Sequence, residues 1–260
     1  MSSITTSIAD GVCELTLARP QQRNAINVEM LTELNQCLDQ TAGDADVRCL
    51  LITGEGRSFC AGADVEEWAQ MEAEGRLETY GWTEKAHALM LKLQQLPKPT
   101  IAAINGAAVG AGLDLSMCCD FRYAASVAKF LPGYTRMAYS PDAGGSWLLP
   151  RLIGLDASRE FLFFDEPWPA NRAKQAGMVS EVYEVEELIN AVRATAKTLA
   201  AGPTYAFGKT KQLLQQSLRT DFAQQLELEK EFAIACGRTE DADEALAAVS
   251  EHRTPNFVGR

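Results

Sequence analysis

An α/β domain with crossover connections is the fold this sequence predicts, on two observations. Residues 49–53 and 100–104 are continuous apolar runs of strand length, the pattern of parallel strands covered on both faces. Long stretches of helical periodicity lie between and after them, so helices alternate with buried strands.

Along the chain, residues 12–17 alternate in polarity like a strand, which Arg19-Pro20 ends. Asn27 is placed to cap a helix over about 28–41, with leucines at 31, 34 and 38. The strand at 49–53 stops at Gly54-Glu55-Gly56. From Glu66 to about Leu96 the pattern is helical, broken near Gly75 and Gly81 and closed by Pro97-Lys98-Pro99. A further helix runs from Ala111 to about Cys118, and 121–124 and 178–183 read as short strands. Composition changes near Pro203, beyond which the chain is almost wholly helical. A boundary near 200 therefore separates a core, residues 1–200, from a helical region, 201–260. Such a tail must cover apolar surface, on its own core or on a neighbouring subunit. No internal repeat or low-complexity tract is evident.

Composition excludes several functions. The chain of 260 residues is 47% apolar and 23% charged, ordinary for a soluble globular protein. Its net charge of -11 argues against nucleic-acid binding, which calls for a basic face. The seven cysteines lie mostly in apolar runs and form no Cys-x-x-Cys pair, so they read as reduced thiols of a cytoplasmic protein. With two histidines, no metal site is expected. The opening residues lack a basic stretch followed by an apolar one, and no run is long enough to span a membrane.

Two glycine-rich turns carry the chemistry: Phe59-Cys60-Ala61-Gly62-Ala63-Asp64, and Asn105-Gly106-Ala107-Ala108-Val109-Gly110-Ala111-Gly112. Small residues leave backbone N–H groups uncovered and let a ligand approach. The amides of Ala63 and Ala111, the latter opening a helix, are placed to face one oxygen. No lysine and serine or threonine come after Gly110-Ala111-Gly112, so it is not a phosphate loop.

These turns resemble those of the enoyl-CoA hydratase/isomerase (crotonase) superfamily. So do Lys98-Pro99 with Ile101-Ala102-Ala103-Ile104-Asn105-Gly106, Cys119-Asp120-Phe121-Arg122, Pro141-Asp142-Ala143-Gly144-Gly145 and Ala173-Lys174-Gln175-Ala176-Gly177-Met178-Val179. The resemblance spans nearly the whole chain. It implies repeated ββα units, a C-terminal helical trimerisation region, and a homotrimer or dimer of trimers. It also implies an acyl-CoA substrate, with coenzyme A entering as part of that substrate and no prosthetic group. The thioester oxygen would sit between the N–H groups of Ala63 and Ala111. Arg23, Ala25, Arg57, Ala61, Asp64 and Lys98 would contact the coenzyme A moiety, with Arg253 reaching in from a neighbouring subunit.

Where the family's hydratases carry two glutamates, this chain has Asp114 and Tyr134. A phenol of pKa near 10 is no substitute for a carboxylate base, which puts two-glutamate hydration in doubt. Asp142 instead resembles the catalytic aspartate of the superfamily's dienoyl-CoA isomerases. The run from Pro141 to Arg151 also resembles ring-epoxide and oxepin-forming acyl-CoA isomerases. The resemblance thus implies movement of a carbon–carbon double bond, with Asp142 as main proton shuttle and Asp114 as its partner. Hydration is the alternative. His87 and Asp142 also match the histidine and nucleophilic aspartate of 4-chlorobenzoyl-CoA dehalogenases, a third reading. A binding protein without catalysis, for coenzyme A or RNA, is the fourth. Trp68, Trp82, Tyr134, Tyr139 and Trp147 lie in segments expected to form an acyl pocket suited to a bulky or aromatic group.

Overall fold

The computed structural model describes residues 2–76 and 80–260; positions 77–79 of the helical stretch read from the sequence lie outside them. Six strands form the main sheet: β1 (Ile4–Ala9), β2 (Val12–Leu17), β3 (Cys49–Gly54), β5 (Thr100–Ile104), β7 (Phe121–Ala125) and β10 (Glu181–Tyr183), side by side in that order. All neighbours are parallel except the β1–β2 hairpin. A second sheet holds β4 (Ser58–Cys60), β6 (Ala107–Val109), β8 (Lys129–Leu131) and β9 (Trp168–Pro169). The α/β fold of repeated ββα units expected from the sequence is the fold observed.

Strand periodicity builds two cores from the main sheet. Leu50, Ile52, Ala102 and Ile104 face one side with α1 (Val28–Gly43) and α3 (Trp82–Gln95). Cys49, Leu51, Ile101 and Ala103 face the other, against Leu188, Val192, Ala196 and Ala200 of α8 (Val185–Ala200). Burial on both faces explains why β3 and β5 read as unbroken apolar runs. The remaining helices are α2 (Val65–Ala73), α4 (Ala111–Met117), α5 (Gly145–Ile153), α6 (Leu155–Phe164), α7 (Ala170–Gln175), α9 (Thr204–Gln216), α10 (Phe222–Cys236) and α11 (Glu240–Glu251). Asn27 caps α1 as expected, accepting from the Met30 N–H at 2.9 Å.

The sequence reading assigns no strand to β1. Only Ile4 of that strand is buried, so it shows little apolar alternation. Its signal is the turn: Asp10 and Gly11 both have positive φ, 52° and 75°, the geometry of a two-residue hairpin.

The repeat missing from the sequence is plain in the backbone. Three times a strand of the main sheet turns sharply into a strand of the second sheet: β3 into β4, β5 into β6, β7 into β8. In the second sheet Cys60 pairs with Ala108, and Ala108 with Phe130. The loops leaving β4, β6 and β8 therefore emerge side by side at one edge of the molecule. The turn from β3 to β4 is tied by Asn24, wholly buried, whose side-chain amide donates to Glu55 O at 3.0 Å and Ser58 O at 2.8 Å. Its Oδ1 accepts from the Arg19 N–H at 3.0 Å. Asn24→Ala leaves these backbone groups unpaired and should lower stability by about 2–3 kcal/mol, measured by urea denaturation.

Candidate active site

Pairing of β4 with β6, which shifts register between Ser58 and Cys60 so that Cys60 faces Ala108, sets the site. Ala63 lies three residues past Cys60, and Ala111 three past its partner Ala108, so the two arrive together. Ile26 pairs with the first turn, donating to Gly62 O at 2.7 Å and accepting from the Asp64 N–H at 2.9 Å. Backbone groups alternate in direction along an extended chain, so the Ala63 N–H points away from Ile26. Ala111 is the first residue of α4, where no intrahelical acceptor exists. Among the described residues, neither N–H has a backbone acceptor. Gly62, at φ 90°, allows the approach: a Cβ there would stand 2.8 Å from Val109 O and 3.6 Å from the Ala111 nitrogen.

These turns open on a cavity of about 400 Å³. Its walls include Trp68, Trp82, Tyr134 and Tyr139, together with Arg136, Met137 and Asp142. Trp68 and Tyr139 pack edge to face, 5.8 Å between ring centres. Trp147, expected here, lies instead on a neighbouring cavity, stacked under the Arg151 guanidinium at 3.8 Å.

Tyr134 stands between two carboxylates. Its single O–H donates to Asp114 Oδ2 at 2.6 Å, and its polar tip beside Asp142 works to lower that residue's pKa. Asp114, one turn into α4, is only 1% exposed. It does not lean over the cavity as expected, because Tyr134 and helix α5 cover it. Gly145 makes room: a Cβ there would lie 2.7 Å from Asp114 Oδ1. Loss of hydration pushes the Asp114 pKa up to about 7, against the Tyr134 and Gly145 hydrogen bonds, which lower it. Asp142 is exposed to the cavity mouth. The walls still strip its carboxylate of enough water to raise its pKa, and the nearby His87 opposes that shift. Asp142 does not cap α5, whose N-cap is Gly144.

The other expected residues fall in three places. Arg23 and Arg57 are exposed on the loops of the first turn, where Arg23 O accepts from the Ala61 N–H at 3.0 Å. Ala25 and Ala61 lie on the same loops, and Ala25 O accepts from Arg19 Nη1 at 2.6 Å. Asp64 is committed to structure, capping α2 and pairing with Arg19 at 2.8 Å. Lys98 must be corrected as a coenzyme A contact within this chain. It is buried at the N-terminal end of β5, the end opposite the glycine turns, where its Nζ donates to Thr41 O and Asp44 O, each at 2.6 Å. Arg253 is held by Glu244 at 2.5 Å and Glu251 at 2.6 Å. His87 is not in the acyl cavity either: it lines the neighbouring one, and its Nε2 bonds Asp142 O at 2.6 Å.

Sequence reasoning missed Asp165. This buried residue ends α6 at φ 52° and holds the loop carrying Tyr134. Its carboxylate accepts from the Gly133 N–H at 2.7 Å and the Arg136 N–H at 2.9 Å. Burial raises its pKa, but those N–H groups and the Arg136 charge reverse the shift, leaving it below the ordinary value. Among the described residues there is no cluster of three or more side chains fit to hold a metal. No helix there is long and apolar enough to cross a membrane.

The family model described as "Enoyl-CoA hydratase/isomerase" matches residues 7–260. The 1,2-epoxyphenylacetyl-CoA isomerase of Escherichia coli is 35% identical over 262 residues, covering 100% of both chains. A solved structure of a Pseudomonas aeruginosa protein is 54% identical with a TM-score of 0.85, covering 88% of this chain and 98% of that one. The enoyl-CoA hydratase of Bacillus anthracis is 34% identical with a TM-score of 0.94, covering 99% of this chain and 100% of that one.

The raised pKa of Asp114 has a consequence for stability. Unfolded, the acid ionises near pH 4; folded, it resists until about pH 7. Its contribution is therefore most favourable below pH 4 and is lost as pH rises toward 7. Asp114→Asn should remove that decline, so urea midpoints of the variant should gain on the unsubstituted protein between pH 4.5 and about 7.5.

Proposed function

This chain belongs to the enoyl-CoA hydratase/isomerase family, and on that footing we propose that it moves a carbon–carbon double bond in an acyl-CoA thioester. Membership makes it an enzyme of acyl-CoA chemistry; the choice of isomerisation over hydration is our reading. One observation carries it: among the described residues, Asp142 is the one carboxylate lining the cavity that also holds the Ala63 and Ala111 amides.

The thioester oxygen accepts from both N–H groups, which meet no other backbone acceptor. Ionised Asp142 removes a proton from the saturated carbon next to the thioester carbonyl, which also neighbours the double bond. The electron pair moves onto the oxygen, where the two donors stabilise the enolate, a contribution of roughly 3–4 kcal/mol per donor. The protonated Asp142 then delivers its proton to a carbon farther along, and the double bond reforms one position over. Asp114 is the last of the two acids to ionise, because it is the more deeply buried. It holds the Tyr134 hydroxyl rather than touching substrate. Hydration needs a second proton-transfer group facing the water, and the matching position is Tyr134, already donating to Asp114.

The aromatic walls favour a bulky, ring-bearing acyl group, a reading supported by likeness to the Escherichia coli enzyme whose name specifies phenylacetyl-CoA chemistry. Arg23 and Arg57 serve the phosphates of coenzyme A from the outer loops. We also read the 201–260 region as an oligomerisation element, giving trimers or paired trimers. Phe222, Leu246 and Val249 there are 72–78% exposed in the single chain and need covering.

Asp142→Asn should cost about a thousandfold in turnover of enoyl- or dienoyl-CoA while leaving coenzyme A binding within a few fold; full turnover would remove Asp142 from the mechanism. Tyr134→Phe should slow turnover by about tenfold or more, since it leaves the buried Asp114 carboxyl without its partner beside the shuttle. On a panel of enoyl-, 3,5-dienoyl- and aryl-CoA thioesters, bond migration should outpace water addition and halide release. The opposite ranking would overturn the isomerase reading.

A further inference from the structure

The loop that carries Asp142 is poorly anchored by its own backbone. Among the described residues, positions 140–143 make no backbone–backbone hydrogen bond. Pro141 has no N–H to offer. Tyr139 is tied back to Tyr134 O at 3.1 Å on one side, and Gly144 O is used by Trp147 and Leu148 at the start of α5 on the other. Between those points, the bond that fixes the Asp142 main chain comes from the His87 ring, at 2.6 Å.

We propose that His87 is a positioning residue: bonded to the carbonyl of Asp142, it aims that residue's carboxylate into the acyl cavity. The inference rests on Asp142 as the proton shuttle. A carbonyl oxygen only accepts, so Nε2 carries the hydrogen. The ring stands on a well-seated support. Its neighbours on α3, Ala86, Leu89 and Met90, are buried against the core, while His87 is exposed. It lines a separate cavity of about 360 Å³ with Ala143, Gly144 and Trp147. Asp142 lines the acyl cavity and His87 the neighbouring one, so the loop stands between the two. A base that activates water on a bound acyl group would have to stand in the acyl cavity, and His87 does not line it.

The test compares His87→Ala and His87→Gln in the full-length protein. The alanine variant should fold with an unchanged melting temperature, because the site is exposed. Its kcat should fall by about ten- to a hundredfold, the cost of a misaimed group, while KM and coenzyme A binding stay within about twofold. Glutamine donates an amide N–H to the same carbonyl and should recover most of kcat. An alanine variant at full kcat overturns the proposal. So does a glutamine variant as slow as the alanine one, because the imidazole itself would then be doing chemistry. His87→Ala added to Asp142→Asn should cost nothing further. If it costs the same factor there, His87 acts elsewhere and the inference fails with the Asp142 reading intact. Full activity of Asp142→Asn alone removes that reading instead.

Discussion

Two peptide N–H groups, held side by side with no backbone acceptor, are the constraint that the rest of this chain serves. Each opens on a cavity and forgoes an internal hydrogen bond worth about 1 kcal/mol, so folding alone would not favour leaving two together. They persist because each is fixed by neighbours it does not bond. Ile26 uses the peptide groups on either side of Ala63, and α4 starts at Ala111 with its first N–H unclaimed. The register between β4 and β6 then makes the two coincide. The geometry therefore originates in strand pairing, well below the level of any side chain.

In the proposed reaction, side chains near a third strand end supply the proton chemistry. β8 pairs with β6, and the turn after it brings Tyr134 to the same edge. Asp165 holds that turn through the Gly133 and Arg136 N–H groups. The outcome is an acid pair with unlike surroundings: Asp114 sealed under Tyr134 and α5, Asp142 open to the cavity. Unlike hydration separates their affinities for a proton, which is what a base with a neutral neighbour requires.

Much of this was legible from composition and spacing, and the failures have physical causes. Residues 49–53 and 100–104 announced buried parallel strands because apolar side chains cover both faces. Glycine and alanine around 62 and 110 marked where backbone is left bare. Lys98 misled because a basic residue in a proline-flanked link does not say at which end of the next strand it falls. The withdrawal of Asp114 depends on Gly145, distant in sequence, having no side chain to push it outward. Asp165 gave no local sign, since its partners come from another loop 29 to 32 residues away. The hairpin of β1 was different: Asp10-Gly11 is a readable turn, outweighed by a strand whose residues are mostly polar.

The division of each unit between two sheets has an evolutionary corollary. Strands of both sheets build the apolar interior, and positions 134 and 142 lie in the loops beyond them. Exchanges at positions such as 134 or 142 leave the interior strands untouched, so new reactions can be tried without unfolding the scaffold. One ancestral backbone can in this way supply many catalysts, each differing by a handful of residues along a single rim.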